Sequence, residues 1–169
     1  MIINLALNYF FLFCCTTGFA DIYSTKLKHK AQADPDMDEN SAFVQTGYII
    51  LICLYQFGAF LSRSSLSIVK VSRLHILTTI QFFNFMFGFA NSYWMVFTNN
   101  YVMNIWMLCA GLAQGSSYAN IMYLIINSDK LKKSEKELAV MIAGTLMNAA
   151  IVVAALFSLT LSNTIFKNA

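Results

Sequence analysis

The charged residues of this chain are confined to three short segments, and this distribution constrains the fold more than any other feature. Of the 19 Lys, Arg, Asp and Glu residues, 17 lie in residues 26–39, 63–73 and 129–137. Only Asp21 and Lys167 lie elsewhere. A helix needs roughly 20 apolar residues to cross the hydrocarbon core of a bilayer. Five stretches of about this length lie beside the charged segments, so the sequence predicts an integral membrane protein.

The predicted spans are helices, because each backbone polar group in lipid must find its partner within the segment. The only proline, Pro35, lies outside all of them. The composition agrees, since 58% of the residues are hydrophobic and 11% are charged, against roughly a quarter charged in soluble domains. We therefore predict an all-α fold, a polytopic bundle of about five helices forming one domain over residues 1–169. The predicted spans are residues 2–20, 43–61, 74–97, 101–126 and 138–161.

Residues 21–41 separate the first two predicted spans and are predicted to form an exposed polar loop. Their acidic run from Asp34 to Asn40 cannot enter lipid. Seven Lys and Arg residues follow spans two and four, whereas four lie on the opposite side. The positive-inside rule then places the loops after spans two and four in the cytosol and the loop at 21–41 in the lumen or exterior.

The first predicted span has an alternative interpretation as a secretory signal peptide. Gly18-Phe19-Ala20 resembles a cleavage site of small residues. No basic residue precedes the span, however, and its apolar run is longer than the roughly 7 to 15 residues usual in signal peptides. Both interpretations stay open on the sequence, with the membrane span favoured.

The sequence contains no catalytic or metal-binding constellation. His29 and His75 have no carboxylate or nucleophile at a meaningful spacing. The net charge of +3 is spread over separate loops, which argues against nucleic acid as a partner. We expect a protein that is not an enzyme, has no cofactor and no metal, and has the lipid bilayer as a partner. The cysteines are predicted to be buried small hydrophobes: Cys14, Cys15, Cys53 and Cys109.

Uncharged polar side chains within the predicted spans are the candidate functional residues. Such groups cost free energy in lipid and tend to face a partner helix or a wet cavity. Hydrogen bonding between helices and a solute pathway both fit them. No charged residue lies in the middle of a span, so no relay of buried carboxylates is predicted. The candidate cavity residues are Gln56, Gln81, Asn84, Gln114, Ser117, Tyr118, Asn120 and Asn148.

Two further segments carry specific patterns. Gly111, Gly115 and Ala119 form a stripe of small residues at a spacing that favours close packing of membrane helices. The turn after span two holds a glycine, an arginine and several serines, whose hydroxyls can satisfy terminal backbone groups. The residues of this turn motif are Gly58, Ser62, Arg63, Ser64 and Ser65.

Residues 55–66 carry a resemblance to a known family. Their sequence, Tyr-Gln-Phe-Gly-Ala-Phe-Leu-Ser-Arg-Ser-Ser-Leu, is similar nearly residue for residue to a turn of the battenin family, with the pattern Tyr-Gln-x-Gly-x-Phe-x-Ser-Arg-Ser-Ser-Leu. Residues 111–120 resemble its glycine-rich helix, and residues 136–139 resemble the start of its last helix. Tyr9-Phe10 with Gly18 falls where the family has a Tyr-Phe pair and a later glycine. The resemblance covers essentially the whole chain.

The resemblance implies the C-terminal half of a lysosomal or vacuolar membrane protein with a fold similar to the major facilitator superfamily. It implies transport or pH homeostasis, with a basic amino acid or a glycerophosphodiester as solute. A chain of this kind would be a fragment or half-transporter that pairs with an N-terminal bundle or a second copy. Leu12 and Ala110 stand where the family usually has glutamates. Because carboxylates in the middle of a membrane helix are ordinarily functional, their loss would alter or abolish the coupling of transport. The alternative function is a membrane adaptor that transports nothing and binds another membrane protein through its polar amides and small residues.

Overall fold

The computed structural model describes residues 2–34, 40–64, 74–129 and 131–166, and all regular structure in these ranges is helical. This confirms the predicted all-α class. A π-helical segment, Cys14–Phe19, joins the first two helices into one continuous element. The helices are α1 (Ile2–Phe13), α2 (Ala20–Ala33), α3 (Ala42–Ser64), α4 (Leu74–Trp94), α5 (Asn100–Ile126) and α6 (Lys133–Thr164).

The first helical element is longer than the sequence indicated. Residues 21–33, predicted as part of the polar loop, instead form most of α2, so that prediction was wrong there. None of the charged side chains of α2 is buried, while Tyr23, Leu27 and Ala31 are. No glycine or proline interrupts this stretch, and Lys30 lies in the last turn, where a cation complements the helix dipole.

The π-helical segment was not predicted, and its two threonines bond to carbonyls of the preceding turn. A π-helix shifts the hydrogen-bond register and leaves carbonyl groups of the preceding turn without amide partners. The Thr17 hydroxyl donates to the carbonyl of Phe13 at 2.6 Å. The Thr16 hydroxyl donates to the carbonyl of Leu12 at 3.3 Å. Gly18 then allows close approach of α6, because a β-carbon there would lie 2.7 Å from Ser158 Oγ.

The other helices lie at the predicted spans, with different ends. The fourth helix ends at Trp94 and not at residue 97, and α6 begins at Lys133 and not at residue 138. Within the described residues, three helical elements are long and apolar enough to cross a membrane: Ile2–Ala33, Phe43–Ser64 and Lys133–Thr164. The remaining two helices, α4 and α5, carry four of the five buried Asn and Gln side chains among the described residues: Gln81, Asn91, Gln114 and Asn120.

Helices α3 and α5 make the most intimate contact in the fold, along a glycine seam formed by Gly58, Gly111 and Gly115. A β-carbon on Gly58 would lie 2.5 Å from the carbonyl oxygen of Leu108 on the facing helix. One on Gly115 would lie 2.5 Å from the carbonyl oxygen of Ala59, and one on Gly111 would overlap the backbone at Tyr55. The two backbones are therefore in direct contact, which only small residues permit.

The other helices pack around α1, which contacts α4, α5 and α6. Aromatic rings form much of this packing, with Phe11 against Phe82 at 5.5 Å and Phe10 against Phe157 at 5.6 Å between ring centroids. Large apolar side chains on the outer face of α6, including Leu156 at 60% exposure, have no protein neighbours to cover them. Such a surface suits contact with lipid chains.

The turn between α4 and α5 is held by one buried amide. Asn91 Oδ1 accepts from the backbone N–H of Phe97 at 2.7 Å, and its Nδ2 donates to the Phe97 carbonyl at 3.2 Å. Met95 adopts a left-handed backbone conformation with φ of 51°. Residues other than glycine rarely adopt this conformation, and it is incompatible with a right-handed helix, so α4 ends at Trp94.

The glycine seam predicts unequal effects of two substitutions. We expect Gly111→Val to lower the free energy of unfolding by about 1–3 kcal/mol or more, because the new side chain overlaps the backbone of α3. Gly144→Ala on α6 is the control, since a β-carbon there meets nothing within 4 Å. It should be neutral or raise stability by up to about 1 kcal/mol through helix propensity. Thermal unfolding in detergent measures both, and equal effects would contradict the seam.

The left-handed residue predicts a stabilising substitution. Met95→Gly should raise the free energy of unfolding by up to about 1 kcal/mol, because it removes the roughly 1–2 kcal/mol cost of a side chain in this conformation and adds about 0.5–1 kcal/mol of entropic cost. Met86→Gly is the matched control, since Met86 is 44% exposed within α4 and glycine in a helix costs about 1 kcal/mol. A shift of the melting temperature in the same direction for both variants would show that the turn does not have this geometry.

Candidate functional site

Polar side chains connect α1 to α4 at two successive levels. At the first, Asn4 Nδ2 and His75 Nδ1 lie 3.0 Å apart. At the second, Asn8 Nδ2 donates to Thr78 Oγ1 at 3.0 Å. The spacings of four positions on α1 and three on α4 keep each set on one helical face.

The polar face of α4 continues inward to Gln81 and Asn84. Asn84 Nδ2 donates to Gln81 Oε1 at 3.4 Å. Gln81 is fully buried, and its Nε2 has no partner among the described residues. These two predicted cavity residues thus lie together on the α4 face that carries Thr78.

A second polar group, here called the arginine cluster, lies where α1, α3 and α5 meet and consists of Tyr9, Arg63, Gln114 and Tyr118. Arg63 Nη2 donates to Gln114 Oε1 at 3.3 Å. The Arg63 guanidinium carbon lies 4.9 Å from the centroid of the Tyr118 ring, which is a cation–π contact. The Tyr9 side chain of α1 adjoins both Arg63 and Gln114. Side chains of α1, α3 and α5 therefore contact one another around the Arg63 guanidinium.

The glycine seam positions this cluster. Ser62, one residue before Arg63, donates to the carbonyl of Leu112 at 2.7 Å and lies 2.5 Å from Ser116 Oγ. These bonds fix the last turn of α3 against α5, so that Arg63 reaches Gln114. Ser64 is exposed, and Ser65 lies outside the described residues. Ser62 of the turn motif is here a helix-packing residue.

Several buried polar atoms in this region lack partners among the described residues. Gln114 Nε2 and Ser117 Oγ have none, although Gln114 is 0% exposed and Ser117 is 1% exposed. Gln114 and Ser117 are three positions apart on α5 and share the face that carries Tyr118. An unpaired buried polar group costs about 1–3 kcal/mol, so these atoms favour a polar ligand or water at this place.

The remaining predicted cavity residues lie elsewhere. Asn120 is buried and donates to the carbonyl of Ser116 at 2.8 Å, within its own helix. Gln56 is exposed on α3 and lines a small groove with Thr16 and Thr17 of the π-helical segment. Asn148 is exposed on α6. The structure does not bring these three amides into the arginine cluster.

Other sequence predictions have mixed outcomes. Cys14 and Cys15 are buried, but Cys53 and Cys109 are exposed. The last two lie on the sides of α3 and α5 that face the outside of the bundle. Burial of all four thiols was therefore wrong. Leu12 and Ala110, which stand where the family usually has glutamates, are fully buried. A carboxylate at either place would lie inside the bundle.

The sequence interpretation missed the part played by Tyr9 and Thr78. Tyr9 was noted only for a family pattern, and Thr78 was not considered. The spacing of Asn4 to Asn8 on one helix and of His75 to Thr78 on another was visible, but their pairing requires knowledge of which helices are neighbours.

Comparison with known proteins supplies the family. The model of the family described as CLN3 protein matches residues 1–168. Battenin of Dictyostelium discoideum is 33% identical over 162 residues, which are 96% of this chain and 36% of that protein. Protein BTN1 of Yarrowia lipolytica is 36% identical over 114 residues, which are 68% of this chain and 28% of that protein.

The chain spans about a third of the length of these relatives. No solved structure matches it. The family match over nearly all residues confirms the resemblance inferred from residues 55–66. The chain therefore belongs to the CLN3 (battenin) family.

Proposed function

We propose that this chain forms one solute-lining bundle of a battenin-type transporter in the lysosomal or vacuolar membrane. Membership of the CLN3 family and the span-capable helices support a multi-pass endomembrane protein. The observation that carries the transport proposal is the set of buried but unpartnered polar atoms on α4 and α5: Gln81 Nε2, Gln114 Nε2 and Ser117 Oγ. Each unpaired buried polar group lowers the stability of the bundle, so helix packing alone gives no reason for these groups to be there.

The proposal includes a topology and a partner. The loops after α3 and α5 face the cytosol, as the distribution of Lys and Arg favours. Gln56 and Asn148 are exposed, and in this proposal they face a second bundle, either an N-terminal one or a second copy. Solute sites in many transporters lie between two such repeats. Basic amino acids and glycerophosphodiesters are the solutes to test.

The adaptor alternative would use the small residues and polar amides to bind another membrane protein. Gly111 and Gly115 are already covered by α3 within this chain, so this stripe offers no open packing surface. That observation favours transport over an adaptor that depends on the glycines.

A chimera tests the proposal. This chain would replace the segment of the Dictyostelium relative with which it aligns, and the chimera would be reconstituted into liposomes loaded with a labelled basic amino acid or glycerophosphodiester. We expect solute flux that falls about fivefold or more in Gln114→Leu and Gln81→Leu, since each removes a hydrogen-bonding group worth about 1–3 kcal/mol. Asn148→Leu, which changes an exposed amide on α6, is the matched control and should retain most of the flux.

The control for folding is a monodisperse elution profile of each variant in detergent. A well-folded chimera that moves neither solute and does not change the internal pH of the liposomes would overturn the transport proposal and favour the adaptor.

A further inference from the structure

A groove between α2 and α6 is lined by three basic side chains. Lys26, His29 and Lys30 of α2 lie along it, and its volume is about 520 Å³. Because residues three and four positions apart share one face of a helix, these side chains stand next to one another. Ser162 of α6 and Phe166, just after that helix, line the same groove. The groove therefore presents a compact group of hydrogen-bond donors.

Lys26 is held in position by two contacts. Its Nζ donates to the carbonyl of Tyr93, at the end of α4, at 3.4 Å. It also lies 5.6 Å from the centroid of the Phe166 ring, which is a cation–π contact. Among the described residues, no carboxylate forms an ion pair with Lys26, His29 or Lys30. An ammonium group has three donors, so both lysines have N–H groups left for an anionic ligand.

The groove lies where the apolar runs of its two helices end. The predicted spans on these helices end at residues 20 and 161, and Lys26 and Phe166 follow within two helical turns. Lipid headgroups surround a membrane helix at this level, and long basic side chains there reach the phosphates. A basic pocket between membrane helices is a known form of headgroup site. The position of the groove therefore favours a lipid over a solute in bulk water.

A narrower groove continues from this one along α6 toward the middle of the membrane. Its volume is about 200 Å³, and it shares Ser162 and Ile22 with the first groove. Its deeper residues on α6 include Ala155 and Leu159, which are both exposed. A phospholipid presents a phosphate, then ester oxygens, then acyl chains. Cations, a serine hydroxyl and apolar side chains follow one another in the same order along the two grooves.

The negative groups near the basic side chains do not outweigh them. Asp21 lines both grooves and repels an anion, but it is one carboxylate against the two lysines of the first groove. The carbonyls at the ends of α4 and α6 carry partial negative charge. Lys26 already contacts both ends, through the carbonyl of Tyr93 and the ring of Phe166. Lys30 therefore remains as a full charge without such a contact.

We propose that Lys26, His29 and Lys30 bind the phosphate of an anionic phospholipid in the leaflet at this end of the bundle. The Ser162 hydroxyl donates to an ester oxygen, and an acyl chain lies along the exposed apolar side chains of α6. In the topology proposed above, this is the luminal leaflet. The inference goes beyond the transport proposal, because none of these residues belongs to the arginine cluster and binding of the lipid does not require flux.

Thermal unfolding of this chain in mixed micelles tests the site. The detergent would contain increasing fractions of phosphatidylglycerol, or of phosphatidylcholine with the same acyl chains, at neutral pH. Phosphatidylglycerol should raise the melting temperature in a saturable manner, at a lipid fraction about fivefold lower than phosphatidylcholine needs, since only its headgroup has a net negative charge. Glycerol 1-phosphate, which has the phosphate without acyl chains, gives the arm for a free anion and should have little effect.

Three variants assign the effect to the groove. Lys30→Gln removes an exposed cation and should raise the required fraction of phosphatidylglycerol by about fivefold. Lys28→Gln is the matched control, because it makes the same change of net charge at an exposed position of α2 that does not line the groove. It should leave lipid binding unchanged. Asp21→Asn should lower the required fraction, because it removes the carboxylate that repels the phosphate.

Equal stabilisation by the two lipids, or an equal loss in Lys28→Gln and Lys30→Gln, would overturn the inference. So would a Lys30→Gln variant that melts lower in pure detergent but keeps the lipid dependence of the wild type, because Lys30 would then act only on the end of its helix. A shift with glycerol 1-phosphate as large as with the lipid would assign a solute site and remove the lipid.

Flux and lipid binding also separate the two proposals. A preference for phosphatidylglycerol in a chain whose chimera moves no solute leaves this site standing and removes the transport proposal. Flux in the chimera, together with no preference between the lipids, removes the lipid site alone.

Discussion

The backbone contact between α3 and α5 is the constraint on which the rest of the structure depends. Gly58, Gly111 and Gly115 allow the two helices to approach until carbonyl oxygens face the places where β-carbons would lie. Interhelical contact in lipid gains little from the hydrophobic effect, so close packing and hydrogen bonds must supply the stability. The Ser62 bonds to α5 add such a polar contact. Gly58 lies six positions before the end of α3, and Ser62 continues the contact with α5. This contact places Arg63 beside the polar face of α5.

Two polar systems meet around α1. One face of this helix presents Asn4 and Asn8 to α4, and another presents Tyr9 to the arginine cluster. The π-helical segment follows directly, with threonine hydroxyls bonded to the displaced carbonyls. A helix that changes its register in this way has a point at which it can bend. The central helix of the bundle therefore combines polar contacts on two sides with a local irregularity.

The all-α fold and the approximate positions of the helices could be predicted from the sequence, because clustered charges and long apolar runs leave few alternatives in lipid. The same argument failed at residues 21–33, where the charged side chains stay out of the core of a helix that buries Tyr23, Leu27 and Ala31. Gln81, Gln114 and Ser117 were identified because polar groups are conspicuous in apolar spans, whereas Gln56 and Asn148 could not be separated from them without knowing which helical face is covered. The arginine cluster depends on contacts 51 and 55 positions apart in sequence, Arg63 with Gln114 and Arg63 with Tyr118, which no local pattern contains.

Cysteine cross-linking across the seam in native membranes tests the central claim most directly. Ser62 Oγ and Ser116 Oγ lie 2.5 Å apart, so Ser62→Cys with Ser116→Cys should place two thiols within disulfide reach. The account predicts nearly complete cross-linking on mild oxidation, detected by mass spectrometry of the joined peptides, and little for Ser64→Cys with Ser116→Cys. No cross-link in the first pair, or equal cross-linking in both, would contradict the α3–α5 contact and the site built on it.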